Sequence, residues 1–281
     1  MRIPRINQRV FSAEQLDPRL RAGLVGHWIG GGSGNTWFDM SGYGRHGTLT
    51  QGLVWTLGEG GKRNALQFDG VDDRVNITRF TVLTSRTFAA WVRTTSTDAV
   101  SGYAGNAALN ILGDSTGGVY IGFGVHGGKV RYLQYASSWQ NVDSVKSVND
   151  GSWHHVVATH ISGTNAVSVY VDGVLDATGT ITFDATNPAL DRIGCGYNNL
   201  DFFDGALDDI RVYSRAISAA EVSLLASPSF SPVTPRRTFL GKRSGAAPGT
   251  LIKTWNGLAN ADVKTVNGLS RGLVKSRNGL S

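Results

Sequence analysis

Glycoside hydrolysis needs two carboxyl groups about 5–10 Å apart, one of them held protonated. The acidic residues are therefore the first place to look for chemistry. The 281-residue chain has three glutamates, Glu14, Glu59 and Glu221, far apart and on no common strand. Asp208-Asp209 is an adjacent pair in a stretch that reads as strand. Neighbouring strand residues point to opposite faces, which separates the two carboxyls. The same alternation splits His154 from His155. His27, His46, His126 and His160 have no metal-ligand spacing. These residues supply no catalytic set, and the chain reads as a non-enzyme. The single cysteine, Cys195, can form no internal disulfide and no thiolate zinc site. In Ile193-Gly194-Cys195-Gly196 it reads as a small buried residue.

Two non-catalytic chemistries remain. Calcium takes six to eight oxygens from carboxylates and carbonyls. The loop Asp39–Gly47 offers one carboxylate and a run of loop carbonyls, and Asp69, Asp72 and Asp73 are alternatives. Sugar binding needs exposed aromatics that stack on pyranose faces. Trp37, Tyr43, Tyr103, Trp139, Tyr197, Phe202 and Phe203 sit in or near expected loops.

The elements that must position these groups are strands. From Asp150 to Leu175 the chain reads strand, loop, strand, tight turn, strand. Trp153 to Thr159 is rich in β-branched and aromatic residues and apolar on both faces, as a central strand is. Val167, Val169 and Val171 alternate with polar or amphipathic residues. Asp172-Gly173 suits a two-residue hairpin turn. Leu66 and Phe68 alternate before Asp69-Gly70. Phe88, Ala90 and Val92 share a face. Residues 119–125 and 129–135 form a hairpin through Gly127-Gly128. Ser218 and Glu221 match a capping box for a short helix over 218–225. The 37 glycines, about twice the usual share, fit many short strands joined by turns. The expected fold is all-β: an antiparallel two-sheet β-sandwich of jelly-roll type, with an N-terminal arm and a small β-repeat tail.

Seven phrases in order resemble the laminin-G-like, concanavalin A-like jelly rolls. They are Gly-Leu-Val-Gly-His-Trp at 23–28, Asp-Met-Ser-Gly-Tyr-Gly-Arg-His-Gly at 39–47, and Leu-Gln-Phe-Asp-Gly-Val-Asp-Asp at 66–73. Phe-Ala-Ala-Trp-Val at 88–92, Asp-Gly-Ser-Trp-His-His-Val-Val at 150–157 and Val-Tyr-Val-Asp-Gly at 169–173 continue the series. Residues 203–218, beginning Phe-Asp-Gly-Ala-Leu-Asp-Asp-Ile, close it. The resemblance implies the fold over 23–226. It implies no single function, because the family holds sugar binders, adhesion modules, enzyme appendages and structural domains. The related β-glucanases carry Glu-x-Asp-x-Glu on one strand, a motif this chain lacks. Loops of the family can hold a structural Ca2+, and the resemblance makes Asp39 and Asp208 its favoured ligands here.

The ends differ from the middle. Residues 1–22 read as an arm that packs on something else, with a short helix beginning near Ser12. The first ten residues lack the apolar run of a secretory signal, and no stretch has the roughly 20 apolar residues of a membrane span. Residues 227–249 hold four of the seven prolines and read as a linker. Residues 250–281 repeat with period 11 and carry Asn-Gly in each repeat, at 256–257, 267–268 and 278–279. Asn-Gly is a hairpin signal, so the tail reads as a small β-meander. It is too small to bury Trp255, Leu258, Val266 and Leu269 by itself, which makes these four the docking or oligomerisation residues. The net charge of +6 resides in the tail: nine of the 27 Lys/Arg but only one of the 21 Asp/Glu follow Ala226. The basic residues are thinly spread, without a nucleic-acid-binding motif.

The repeat resembles C-terminal repeats of bacteriophage structural proteins. The expected protein is a virion component, such as a capsid decoration, fibre or tail protein. It would be a homo-oligomer that joins other assembly proteins through its termini and displays a glycan-binding jelly roll. A secreted carbohydrate-binding module, a glycoside hydrolase and a bacterial surface adhesin are the alternatives.

Overall fold

The structure is a computed structural model. It describes residues 17–227, apart from 31–33, 62–63, 83–84, 98–108, 115–119, 136–137, 182–187 and 198–199. In the tail it describes 265–266 and 269–270. In chain order the elements are α1 (Pro18–Arg21), β1 (Leu24–Trp28), β2 (Thr36–Trp37), β3 (Gly47–Thr50), β4 (Val54–Leu57), β5 (Asn64–Asp69), β6 (Arg74–Thr81) and β7 (Arg86–Arg93). They continue with β8 (Leu109–Gly113), β9 (Tyr120–His126), β10 (Lys129–Tyr135), β11 (Trp139–Ser147), β12 (His154–Ile161), β13 (Ala166–Val171) and β14 (Val174–Thr180). The last are β15 (Ala189–Ile193), β16 (Asp204–Tyr213), α2 (Ala219–Leu225), β17 (Thr265–Val266) and β18 (Leu269–Ser270).

Two eight-stranded antiparallel sheets pack as a sandwich. The first runs β14-β13-β12-β7-β16-β5-β4, with β1 also on β16; the second runs β11-β10-β9-β8-β15-β6-β3-β2. The expected all-β jelly-roll architecture is the observed one. Strand β12 is central, between β13 and β7. Val156 and Ala158 enter the core between the sheets. Val157 faces the other way and joins Leu20, Ala89, Tyr213, Val222 and Leu225 in a second apolar cluster. This outer cluster explains why β12 is apolar on both faces: α1 and α2 cover its back. Asp172 and Gly173 both have positive φ, 53° and 81°, as the hairpin turn requires.

Helix α2 starts on the expected capping box. The Glu221 carboxylate accepts from the Ser218 N–H at 2.8 Å, and Ser218 Oγ accepts from the Glu221 N–H at 3.3 Å. Arg215 pairs with Glu221, and its hydrogen bonds, with those from Ser218, hold the carboxyl down at about 2. Arg215 also donates to the carbonyls of Arg19 and Ala22 at 2.7 Å. Of the arm expected at 1–22, residues 17–22 are thus fastened to the jelly roll, with Leu20 fully buried. The helix expected near Ser12 lies outside the described residues.

By internal packing the chain divides into units 1–233 and 234–281. In the second, β17 and β18 pair antiparallel, Thr265 opposite Ser270 and Val266 opposite Leu269, with Asn267-Gly268 between them in sequence. Trp255, Leu258 and the side chains of Val266 and Leu269 lie outside the described residues, as do 228–249 of the expected linker.

Candidate functional site

The acidic pair falls in a β-bulge. The β16–β7 register shifts between Asp208 and Arg211, and Asp209 takes φ 48°. Leu207 and Ile210, three apart, both enter the inter-sheet core. The strict alternation expected at 208–209 therefore fails, because the extra residue puts both aspartates between two inward positions. Neither is accessible. Asp208 is fully buried, its Oδ1 accepting from the Asp209 N–H at 2.8 Å. Asp209 accepts from Arg211 Nε at 2.7 Å and Nη2 at 3.0 Å, and lies 2.8 Å from His27 Nε2.

Asp39 is an organiser of its loop. Its carboxylate accepts from the N–H groups of His27, Ser41 and Arg45 and from the Ser41 hydroxyl, at 2.8–3.0 Å. Through His27 it sits beside Asp209, the acidic residue that the sequence reading left out of the calcium set. Among the described residues, the cluster of three metal-type side chains is instead Asp69, Asp72 and Asp73.

The paired histidines separate as alternation requires. His154 bridges Asp172 at 2.9 Å and Asp150 at 3.1 Å, while His155 packs on Trp91 with ring centroids 5.2 Å apart. Cys195 is fully buried, and burial pushes its thiol up to about 12, so it is inert.

The aromatics sort sharply. Trp37 and Phe203 are fully buried core residues, edge-on to Trp55 and Phe68 respectively, and Phe202 is buried too. These three are not available for stacking on a sugar. Their apolar area completes the core where the sequence reading placed loops. Tyr103 lies outside the described residues. Tyr43 is exposed, with the Arg45 guanidinium 4.4 Å above its ring. Trp139 and Tyr197 belong to a cluster on the outer face of the second sheet. Tyr120 is its centre, 5.8 Å from Trp139 and 6.5 Å from Tyr197, and Tyr135 lies 4.8 Å from Trp139. Cross-strand register aligns Tyr120, Tyr135 and Trp139 in one row.

Beside this row the outward positions of β9 carry no side chain, and both are buried. Ile121, Phe123 and Val125 fill the core, so Gly122 and Gly124 face outward. A Cβ at Gly122 would stand 3.0 Å from Asn110 Oδ1, and one at Gly196 2.6 Å from Asn110 Nδ2. The Tyr120 hydroxyl donates to Asn110 Oδ1 at 3.1 Å. Asn110, Tyr120 and Tyr135 were missed from sequence. The signal was the alternation Tyr-Ile-Gly-Phe-Gly-Val at 120–125, which strips one face of a strand down to an aromatic and two glycines.

The acids near this patch are restrained. Asp114 is buried and accepts both nitrogens of Arg79, which also approaches Asp191 at 3.6 Å. Asp201 is buried, its Oδ1 without a hydrogen-bond donor, and desolvation pushes its carboxyl up to about 7. Burial, with the charges of Asp201 and Asp114, raises Tyr120 well above the usual phenol range. A carboxyl raised in the folded state is ionised earlier in the unfolded chain. Stability from this site is therefore lost as pH rises from about 4 to 7. Asp201→Asn is expected to stabilise the domain by roughly 2–4 kcal/mol at pH 8 and to be near neutral at pH 4, as urea unfolding at the two pH values would show.

A family model described as the concanavalin A-like lectin/glucanases superfamily matches residues 69–223, more than half of the chain. The chain belongs to this superfamily. Among solved structures, this lectin/glucanase-type domain is similar to domain 4 of AbnA, a GH43 extracellular arabinanase from Geobacillus stearothermophilus, in complex with arabinotriose. They are 19% identical with a TM-score of 0.58, covering 73% of this chain and 99% of that one. The binding domain of Paraclostridial Mosquitocidal Protein 1 is 15% identical with TM-score 0.57, covering 75% and 53%. The receptor binding domain of botulinum neurotoxin D is 11% identical with TM-score 0.56, covering 74% and 53%. At these identities the likeness is one of fold. The mouse (Mus musculus) protein named for its Sushi, von Willebrand factor type A, EGF and pentraxin domains is 30% identical over 106 residues, 34% of this chain. The chain spans 3% of the length of that relative. Among the described residues no helix is long and apolar enough to cross a membrane.

Proposed function

We propose that this chain is a non-enzymatic binding protein whose lectin/glucanase-type domain takes a neutral oligosaccharide on the outer face of its second sheet. The cluster of Tyr135, Trp139 and Tyr197 around buried Tyr120 carries this reading: the three half-buried rings offer apolar faces of the kind on which a pyranose or furanose stacks. The non-enzymatic part is supported by the state of the acids. Asp114 is clamped by Arg79, Asp209 by Arg211, and Glu221 is committed to its helix cap. None is left as a nucleophile or a proton donor facing solvent. Among the described residues, Asp201 is the carboxyl near the patch with the raised affinity for a proton that a general acid needs, so glycoside hydrolysis is the second reading. Release of reducing sugar, abolished in Asp201→Asn, would establish it in place of the first.

The test is a glycan array probed with the wild type and Trp139→Ala, with arabino-oligosaccharides included because the AbnA domain was solved with one. One saccharide class is expected to bind, and Trp139→Ala to weaken it at least tenfold with unchanged folding. Equal binding by the variant, or none by the wild type, overturns the site.

The setting proposed for the domain is a phage virion, with the Asn-Gly tail docking or oligomerising through Trp255, Leu258, Val266 and Leu269. The pairing of β17 with β18 around Asn267-Gly268 supports a hairpin repeat in the tail. Mass spectrometry of purified virions against secreted fractions separates this from an extracellular module or surface adhesin. Deletion of 227–281 is expected to abolish incorporation into the particle.

A further inference from the structure

We propose that the turn joining β5 to β6 is a divalent-cation site, with Asp69, Asp72 and Asp73 as its carboxylate ligands and Ca2+ as the ion it takes. Each of the three residues offers a carboxylate oxygen, and these atoms lie within 4.8 Å of one another. Oxygens held 2.3–2.6 Å from one Ca2+ can be up to about 5 Å apart, so one ion reaches all three. A second feature concerns the innermost of the three. Asp73 is 4% exposed; its Oδ2 accepts from the Asp69 N–H at 3.1 Å, but its buried Oδ1 has no hydrogen-bond donor. A buried carboxylate oxygen in that state lacks the compensation that buried charge requires, and a cation supplies it.

Among the described residues, the adjacent cation does not supply it. Arg74 follows directly, yet its Nη1 donates to the Asp72 carbonyl at 3.3 Å rather than to a carboxylate of the cluster. The all-oxygen donor set, with no histidine or thiolate in it, selects a hard ion over zinc or copper. A turn of three carboxylates with irregular spacing suits Ca2+ better than Mg2+, which demands a near-ideal octahedron.

The position gives the ion a structural task. Strand β5 belongs to the first sheet and β6 to the second, so the turn is a corner where the chain crosses the sandwich. An ion there ties the two sheets at one edge. The site lies apart in sequence from the aromatic patch, and it stands or falls independently of the glycan reading.

The experiment is calorimetric titration of the EDTA-treated full chain with CaCl2, paired with thermal unfolding. The wild type is expected to bind one Ca2+, with Tm raised by about 5 °C at saturating ion and returned by EDTA. Asp73→Asn is expected to lose binding at least a hundredfold. Because Asp73 is buried and its variant can unfold, Asp72→Asn is measured beside it and is expected to lose binding at least tenfold while keeping the apo Tm. Absence of saturable binding by the wild type at millimolar Ca2+ overturns the proposal. So does undiminished binding by Asp72→Asn, and so does loss of binding in Asp39→Asn with retention in both turn variants.

Discussion

Arg211→Met is expected to lower the unfolding free energy of the domain by about 3–5 kcal/mol, enough to dominate any urea or thermal unfolding curve. The reason is the partner left behind. Asp209 is 5% exposed and accepts two charged hydrogen bonds from Arg211. Burial by itself would raise the Asp209 carboxyl, but the guanidinium beside it more than reverses that and holds it well below the usual range. Without Arg211 the buried carboxylate loses the guanidinium that neutralises it, and the His27 ring beside it has its own pKa lowered by burial and by Arg211. The double variant Arg211→Met/Asp209→Leu is expected to recover most of the loss, since removing both charges removes the desolvation that their pairing offsets. Failure of the double variant to recover would mean that the cluster shapes the bulge as well as neutralising it. The wild-type pH profile carries the same signature. A histidine kept neutral in the fold, against an ordinary value of 6.5, loses stability for the protein as pH falls below that value. The depressed Asp209 extends the loss through the carboxylate range and below it. Both slopes are expected to shrink in the double variant.

Gly205→Ala is expected to cost about 3 kcal/mol or more, lowering Tm by roughly 6–12 °C for a domain of this size. Gly205 has φ 138°, where a side chain is strained whatever the space. Here there is no space either: a Cβ would stand 2.4 Å from the Arg93 carbonyl oxygen and 2.9 Å from Thr94 Cβ. The clash is with backbone of β7, the strand paired with β16, so it cannot be relieved by a rotamer change. Gly42→Ala is the control. It also has positive φ, 94°, but nothing lies within 4 Å of the added carbon, and the expected cost is about 1 kcal/mol. A similar loss for both variants would refute the steric account and leave only backbone strain.

These two residues show how differently the chain declares itself. The strands of the sandwich were legible because burial on one or both faces imposes period 2, and the turns because Asp172-Gly173 and Gly127-Gly128 are the residue types that positive φ selects. The capping box at Ser218 and Glu221 was legible for the same local reason. Alternation misled at 208–209. A bulge inserts a residue without marking itself in composition, and both aspartates were buried between the inward-facing Leu207 and Ile210. Trp37, Phe202 and Phe203 read as loop aromatics, because whether a loop folds over the core depends on contacts with Trp55 and Phe68 from distant strands.

By itself the sequence determined the all-β sandwich class, its hairpin turns and the cap of its late helix. All of these depend on interactions within about a dozen residues. Only the tertiary structure decided which acids are committed to ion pairs, which aromatics share a face, and that one oxygen of Asp73 is buried with no donor. Ion pairing, cross-strand alignment and desolvation are set by residues far apart in sequence, such as His27 with Asp209 or Arg79 with Asp114, and their partnership exists only once the two sheets have closed.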